Sequence, residues 1–260
     1  MTFEQLHLKK ESKIAFVTIT REKKLNALDS ATIQELHEAF SVLDTDLQVR
    51  AIVLMGQGQK AFVAGADIAE FSSFNQQQGE ALSRLGHEKL FAFVENLSTP
   101  VIAAINGYAL GGGLELALSC HMRVASDNAR MGLPEVTLGL IPGYGGTRRL
   151  GQIIGKGRAH QMIATGQMIS ADKAMQWGLV NEIYTQEELV PKATELALKI
   201  AANAPISVSH SIKAINAQYS NSVESFETEI QLFGACFATN DFKEGTSAFL
   251  EKRKPDFKGN

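Results

Sequence analysis

The chain has 260 residues, 45% of them hydrophobic, a content that fills a real core and excludes intrinsic disorder. Its 25 basic and 28 acidic residues leave a formal charge of −3, which offers no large positive field to nucleic acid or to an anionic membrane surface. Two cysteines, Cys120 and Cys236, are too few for a disulfide framework and read as small core residues of a protein kept in a reducing compartment.

The opening MTFEQLHLKKESK has neither the apolar core of a secretory signal nor the Arg-rich character of a transit peptide, so the expected location is the cytoplasm. Ile14 to Ile19 reads as a strand, and Ile33, Leu36, Phe40, Leu43 and Leu47 then recur at helical spacing. Ala51 to Met55 reads as a buried strand. Gln76-Gln77-Gln78 reads as an exposed loop, and Leu82, Leu85, Leu90, Phe93 and Leu97 as one amphipathic helix. Val101 to Ile105 is a further strand, ending at Gly107. This alternation predicts an α/β core of largely parallel strands whose end loops carry the working groups. Trp177, just before Gly178, reads as a packing residue at a helix end. From about Gln186 onward the segments look helical, with helices expected from Pro205 and from Ser222. The expected organisation is a core over residues 1–200 and a helical region over 201–260. Apolar stretches break well before the ~20 residues that a membrane span needs.

Three loops carry candidate chemistry. In GYALGGGLELALS, from Gly107 to Ser119, Gly111-Gly112-Gly113 precede a short helix. Glycines admit positive φ and close approach of a ligand, and the Gly112 N–H at a helix start suits negative charge. Glu115, three residues on, returns to the same side as Gly112 or else lies on a wet helix face; Gly111 and Ser119, four residues away, supply no cation. In Phe62 to Ile68, Asp67 reads as an N-cap that leaves the Ala66 N–H pointing outward. In Leu133 to Gly143, Glu135 follows Pro134 among apolar neighbours, either as a working carboxylate or as an ordinary first-turn Glu.

Other chemistries lose their usual support. Gly143-Tyr144-Gly145 and Gly155-Lys156-Gly157 begin like dinucleotide fingerprints, but Arg148 and His160 stand where the third glycine belongs. Gly151 to Lys156 is one residue short of a phosphate loop, no nucleophile elbow occurs, and the histidines form no zinc-spaced pair.

Together the loops resemble the enoyl-CoA hydratase (crotonase) family. The matching segments are Ala64-Gly65-Ala66-Asp67-Ile68, Ile105 to Glu115, and Pro134-Glu135 with Gly139 to Thr147; the ending Ala248 to Pro255 is also similar. By that resemblance the fold is a crotonase-type spiral of ββα units with a C-terminal helical trimerisation region. The substrate is an acyl-CoA thioester, and the assembly is a homotrimer or dimer of trimers. The amides of Ala66 and Gly112 form an oxyanion hole, and Glu115 and Glu135 add water to a trans-2-enoyl-CoA. Gly143 helps to position water. Ala64, Asp67 and Ile68 bind CoA, as do Phe249 and Lys252 across a subunit boundary. No metal or redox cofactor is implied. An enoyl-CoA isomerase is the near alternative, disfavoured by two glutamates. An RNA-binding relative is disfavoured because residues 79–96 carry only Arg84 and Lys89 as fixed cations. Phe71 and Phe74 either line the acyl pocket or merely pack.

Overall fold

A computed structural model describes residues 3–203, 205–217, 219, 230–231 and 233–255. Strand β1 (Leu6–Glu11) pairs antiparallel with β2 (Ile14–Ile19), so the charged segment before the expected first strand is itself an edge strand. Helix α1 (Ser30–Thr45) is capped by Asp29, whose carboxylate accepts from the Thr32 N–H, and it buries Ile33, Leu36, Phe40 and Leu43. Strands β3 (Ala51–Gly56) and β4 (Ala61–Ala64) follow.

The next segment departs from its expected form. The glutamines at 76–78 are exposed but not a loop: they are the first turn of α2 (Gln76–Gly86), where Asn75 and Gln78 exchange side-chain and backbone bonds in a capping box. The amphipathic run is not one helix either. A π turn at His87–Phe91 separates α2 from α3 (Ala92–Glu95).

Beyond it come β5 (Val101–Ile105), β6 (Tyr108–Leu110), α4 (Gly112–Ser119), β7 (Met122–Ser126) and β8 (Arg130–Gly132). Helices α5 (Gly146–Ile154) and α6 (Lys156–Thr165) lead to the short β9 (Ile169–Ser170), α7 (Ala171–Trp177) and β10 (Glu182–Tyr184). Trp177 packs into the core at the last residue of α7, and Gly178 ends the helix with φ +78°. Then come α8 (Leu189–Ala201), α9 (Pro205–Ala217) and α10 (Asn240–Leu250). The helix expected from Ser222 lies outside the described residues.

The strands divide into a six-stranded sheet, ordered β1-β2-β3-β5-β7-β10, and a four-stranded one, ordered β4-β6-β8-β9. Three successive units each place one strand in the large sheet and the next in the small sheet: β3 and β4, β5 and β6, β7 and β8. This is the spiral of repeated strand pairs and helices. Within each sheet the inner pairs are parallel, and the antiparallel pairs are β1 with β2 and β8 with β9. The continuous apolar run of β5 is buried at all five positions, as a strand covered on both faces requires. One face of the large sheet is covered by Leu189, Ala193 and Ala197 of α8 against Ile14, Val53 and Ile102.

Register decides where the site forms. In the small sheet Ala64 lies beside Leu110, and Leu110 beside Gly132, so β4, β6 and β8 end at one level. The chain after each of these parallel strands therefore emerges at the same place. Those three exits are the loops with Ala66, with Gly112 and Glu115, and with Glu135.

Candidate active site

The exit from β6 turns at Gly111, whose φ of 50° and ψ of −127° form a backbone that side chains rarely tolerate. A Cβ there would also lie 2.8 Å from Oε1 of Glu135. Gly113 is required for a different reason. Its Cβ would fall 2.0 Å from the Val63 carbonyl oxygen, so α4 begins in direct contact with the backbone of β4. As the first residue of α4, Gly112 has no carbonyl one turn back to bond.

The exit from β4 is fixed by a bridge to Leu28, whose N–H donates to the Gly65 carbonyl and whose carbonyl accepts from the Asp67 N–H. That pattern bypasses Ala66. Among the described residues the N–H groups of Ala66 and Gly112 have no hydrogen-bond partner, and a Cβ on Gly112 would lie only 3.7 Å from the Ala66 nitrogen. Two adjacent main-chain donors thus line one cavity. Asp67 is not the expected N-cap: the turn Ile68–Glu70 has no side-chain cap bond, and the Asp67 carboxylate instead faces Arg21 at 3.3 Å. Arg21 also pairs with Asp29 at 2.6 Å, and this charge cluster outcompetes the local cap.

Glu115 is 1% exposed, which removes the wet-face reading. Its Oε1 accepts from the N–H groups of Tyr144 and Gly146, at 2.7 and 2.9 Å. Gly146 opens α5, so the carboxylate sits at a helix N-terminus, where main-chain donors and the helix dipole offset its desolvation. Glu135 begins the short 3₁₀ turn Glu135–Leu138 immediately after Pro134. Its carboxylate reaches back over Gly111 towards α4.

Ala66, Gly112, Glu115 and Glu135 share one cavity of about 270 Å³, with Ala64, Ile68 and Gly143 in its wall. The Gly143 carbonyl accepts from the Ser83 hydroxyl at 2.6 Å, which ties this corner to α2. Phe249 also lines the cavity of its own chain, whereas Lys252 lies outside it. Of the two phenylalanines left open, Phe71 lines the cavity and Phe74 packs against Phe237. Such an arrangement can hold a carbonyl oxygen between two amides while two carboxylates handle protons close by.

Two contributors were not singled out by sequence reasoning. Tyr144 lines the cavity, and burial together with the Glu115 charge holds its phenol well above the usual tyrosine range. Arg149, 2% exposed, donates Nη1 to the Tyr144 carbonyl at 2.8 Å and pairs Nη2 with Glu95 at 2.7 Å. It thereby braces the turn whose N–H groups hold Glu115. An arginine in the first turn of a helix that opens on a glycine carries no periodic signal; its only sequence cue is a position three beyond Gly146.

Among the described residues no group of three or more His, Cys, Asp or Glu is placed to hold a metal ion, and no helix is long and apolar enough to cross a membrane. Cys120 is buried, which pushes its thiol up to about 12, and Cys236 is partly buried beside the cluster that contains Phe233 and Phe237.

Known proteins resemble this chain over nearly its whole length. The profile of the enoyl-CoA hydratase/isomerase family matches residues 9–260. The chain is 48% identical over 257 residues to the short-chain-enoyl-CoA hydratase of Clostridium acetobutylicum, covering 98% of this chain and 97% of that protein. It is 42% identical to the crotonyl-CoA hydratase of Syntrophomonas wolfei subsp. wolfei, covering 99% of each. Among solved structures, the carnitinyl-CoA hydratase of Mycobacterium avium superposes with a TM-score of 0.88 at 34% identity over 100% of both chains.

Proposed function

The chain belongs to the enoyl-CoA hydratase/isomerase family, and from that premise we propose that it adds water syn across the double bond of a trans-2-enoyl-CoA to give the 3-hydroxyacyl-CoA. The observation that carries the reading is the single cavity shared by the amides of Ala66 and Gly112 and the carboxylates of Glu115 and Glu135.

The thioester oxygen accepts from the Ala66 and Gly112 N–H groups. As water adds at C3, charge builds on that oxygen, and fixed donors stabilise the enolate more than the ground state. Each such donor is worth ~10²–10³-fold in rate, or about 3–4 kcal/mol. Glu115, oriented by the Tyr144 and Gly146 amides, takes a proton from the water. Glu135 delivers a proton to C2, and the Gly143 corner helps to position the water. Syn addition requires both carboxylates to work from one side of the bound alkene. Ala64, Asp67 and Ile68 bind the CoA moiety. Lys252 meets the CoA of a neighbouring subunit in a homotrimer or dimer of trimers, whereas Phe249, expected in the same role, instead borders the acyl cavity of its own chain. The enzyme acts in cytoplasmic acyl-CoA metabolism, and the coenzyme A of the substrate is the only cofactor-like group the reaction uses.

Crotonyl-CoA supplies the test. The expected outcome is loss of the conjugated enoyl-thioester absorbance with formation of 3-hydroxybutyryl-CoA, abolished in Glu135→Gln. An enzyme inert toward every trans-2-enoyl-CoA would refute the reading, and double-bond migration without hydration would assign an isomerase instead.

A further inference from the structure

The cavity that holds the two amides and two carboxylates is small, and one aromatic side chain in its wall is held unusually firmly. At about 270 Å³ it lies just under the ~300–1,000 Å³ common for small-molecule sites. Phe71 and Phe233 wall it from the aromatic cluster that also holds Phe237 and Phe242. Tyr144 reaches it from the main core. Its ring stacks on Phe91 with centroids 4.4 Å apart and planes 7° from parallel, and Phe233 lies 6.4 Å away.

The ring is wedged along both edges. A Cβ at Gly86 would sit 2.3 Å from Cε1 of Tyr144, so α2 approaches one edge as closely as backbone can. On the opposite edge a Cβ at Gly112 would sit 3.6 Å from Cδ2. The main chain of the same residue is held at both ends, its N–H on Glu115 and its carbonyl by Arg149. A ring stacked on one face, bounded on two edges and anchored through its backbone has nowhere to retreat when a longer ligand presses on it.

From these contacts we infer that Tyr144 is the floor of the acyl pocket and restricts the enzyme to short 2-enoyl chains. The inference rests on the hydratase reading. With the thioester oxygen between Ala66 and Gly112, C2 and C3 lie between the carboxylates, and every carbon beyond C3 advances toward the ring wedged between Gly86 and Gly112. A four-carbon acyl group stops short of it; an eight-carbon group meets it.

Tyr144→Ala removes the floor, and Tyr144→Phe keeps the ring while deleting the hydroxyl. The readout is kcat/KM for trans-2-octenoyl-CoA divided by that for crotonyl-CoA in one preparation, a ratio from which any loss of folded enzyme cancels. Space for one methylene changes discrimination by ~10–200-fold. The expected result is a ratio at least ~10-fold higher in Tyr144→Ala and unchanged in Tyr144→Phe. An unchanged ratio in Tyr144→Ala, or a wild-type enzyme that uses both substrates equally well, overturns the inference. Affinities for saturated butyryl- and octanoyl-CoA, measured by calorimetry, read the same selectivity without turnover. Length-selective binding that Tyr144→Ala relaxes, in a protein that hydrates nothing, would remove the hydratase reading while leaving the floor in place.

Discussion

At the N-terminal end of α4 three consecutive glycines give up helix propensity, Glu115 is buried, and the Gly112 N–H has no partner among the described residues. At the C-terminal end of the same helix one buried side chain serves the backbone. Arg123 donates Nη1 to the carbonyls of Ala117 and Cys120, at 3.2 and 2.8 Å, and Nε to that of Leu179 at 2.9 Å. Nδ1 of His121 accepts from the Val101 N–H. Both ends obey the helix dipole, with donors and room for an anion at one terminus and a cation at the other. The difference lies in who completes the hydrogen bonding. The first end is left for a ligand and costs stability; at the second, the carbonyls of Ala117 and Cys120 are bonded by the chain's own Arg123, which offsets part of that cost.

The largest effect expected from breaking this division is on Glu115. Glu115→Gln keeps an oxygen for the Tyr144 and Gly146 amides, so the fold persists, but the side chain no longer accepts a proton. Loss of a general base costs ~10²–10⁴-fold in kcat, about 3–5 kcal/mol of barrier. Steady-state kinetics and thermal unfolding on the same sample check it. Should unfolding temperature collapse along with kcat, the N-terminal end would be structural after all.

How the two ends read in the sequence differs as much as their chemistry. Three glycines and a carboxylate in apolar company are a local contradiction, and local contradictions mark working sites; the same holds for Glu135 behind Pro134. The long elements were also legible, because β3, β5 and α1 repeat apolar residues often enough to set a period. Strands β4, β6, β8 and β10, of three or four residues each, are too short to display one, and their pairing partners lie tens of residues away. The Asp67 cap failed because Arg21 lies 46 residues upstream and wins the carboxylate through space. Arg123 carried no cue at all, since the carbonyls it serves are defined only once α4 ends.

The next largest effect belongs to that arginine. Arg123→Met preserves the apolar stem but strips donors from three carbonyls, Ala117, Cys120 and Leu179. A buried polar group left unsatisfied costs ~1–3 kcal/mol, and that is the destabilisation expected in urea unfolding. The turnover of the folded fraction should stay within about two-fold of wild type, because no catalytic group moves. A drop in kcat larger than the drop in stability would show that the two ends of α4 are coupled and would dissolve the distinction.

The smallest effect is a pH dependence written into the C-terminal end of α4. Desolvation, then the Arg123 charge, pulls the His121 imidazole down from 6.5 to about 4, against weaker opposing contributions from Glu95 and Asp44. Above pH 6.5 the ring is neutral in both folded and unfolded chains and contributes nothing to their balance. As pH falls through 6.5 the unfolded chain takes up a proton that the folded chain refuses until about 4, so stability decreases across that window and levels off beneath it. The decrease amounts to about 1 kcal/mol between pH 6 and pH 5. In His121→Asn the side-chain oxygen can still accept from the Val101 N–H, but nothing titrates, and this part of the acid sensitivity should vanish. Urea unfolding at the two pH values compares the slopes directly. Equal slopes in the variant and the wild type would mean that His121 takes its proton in the folded chain as readily as in the unfolded one.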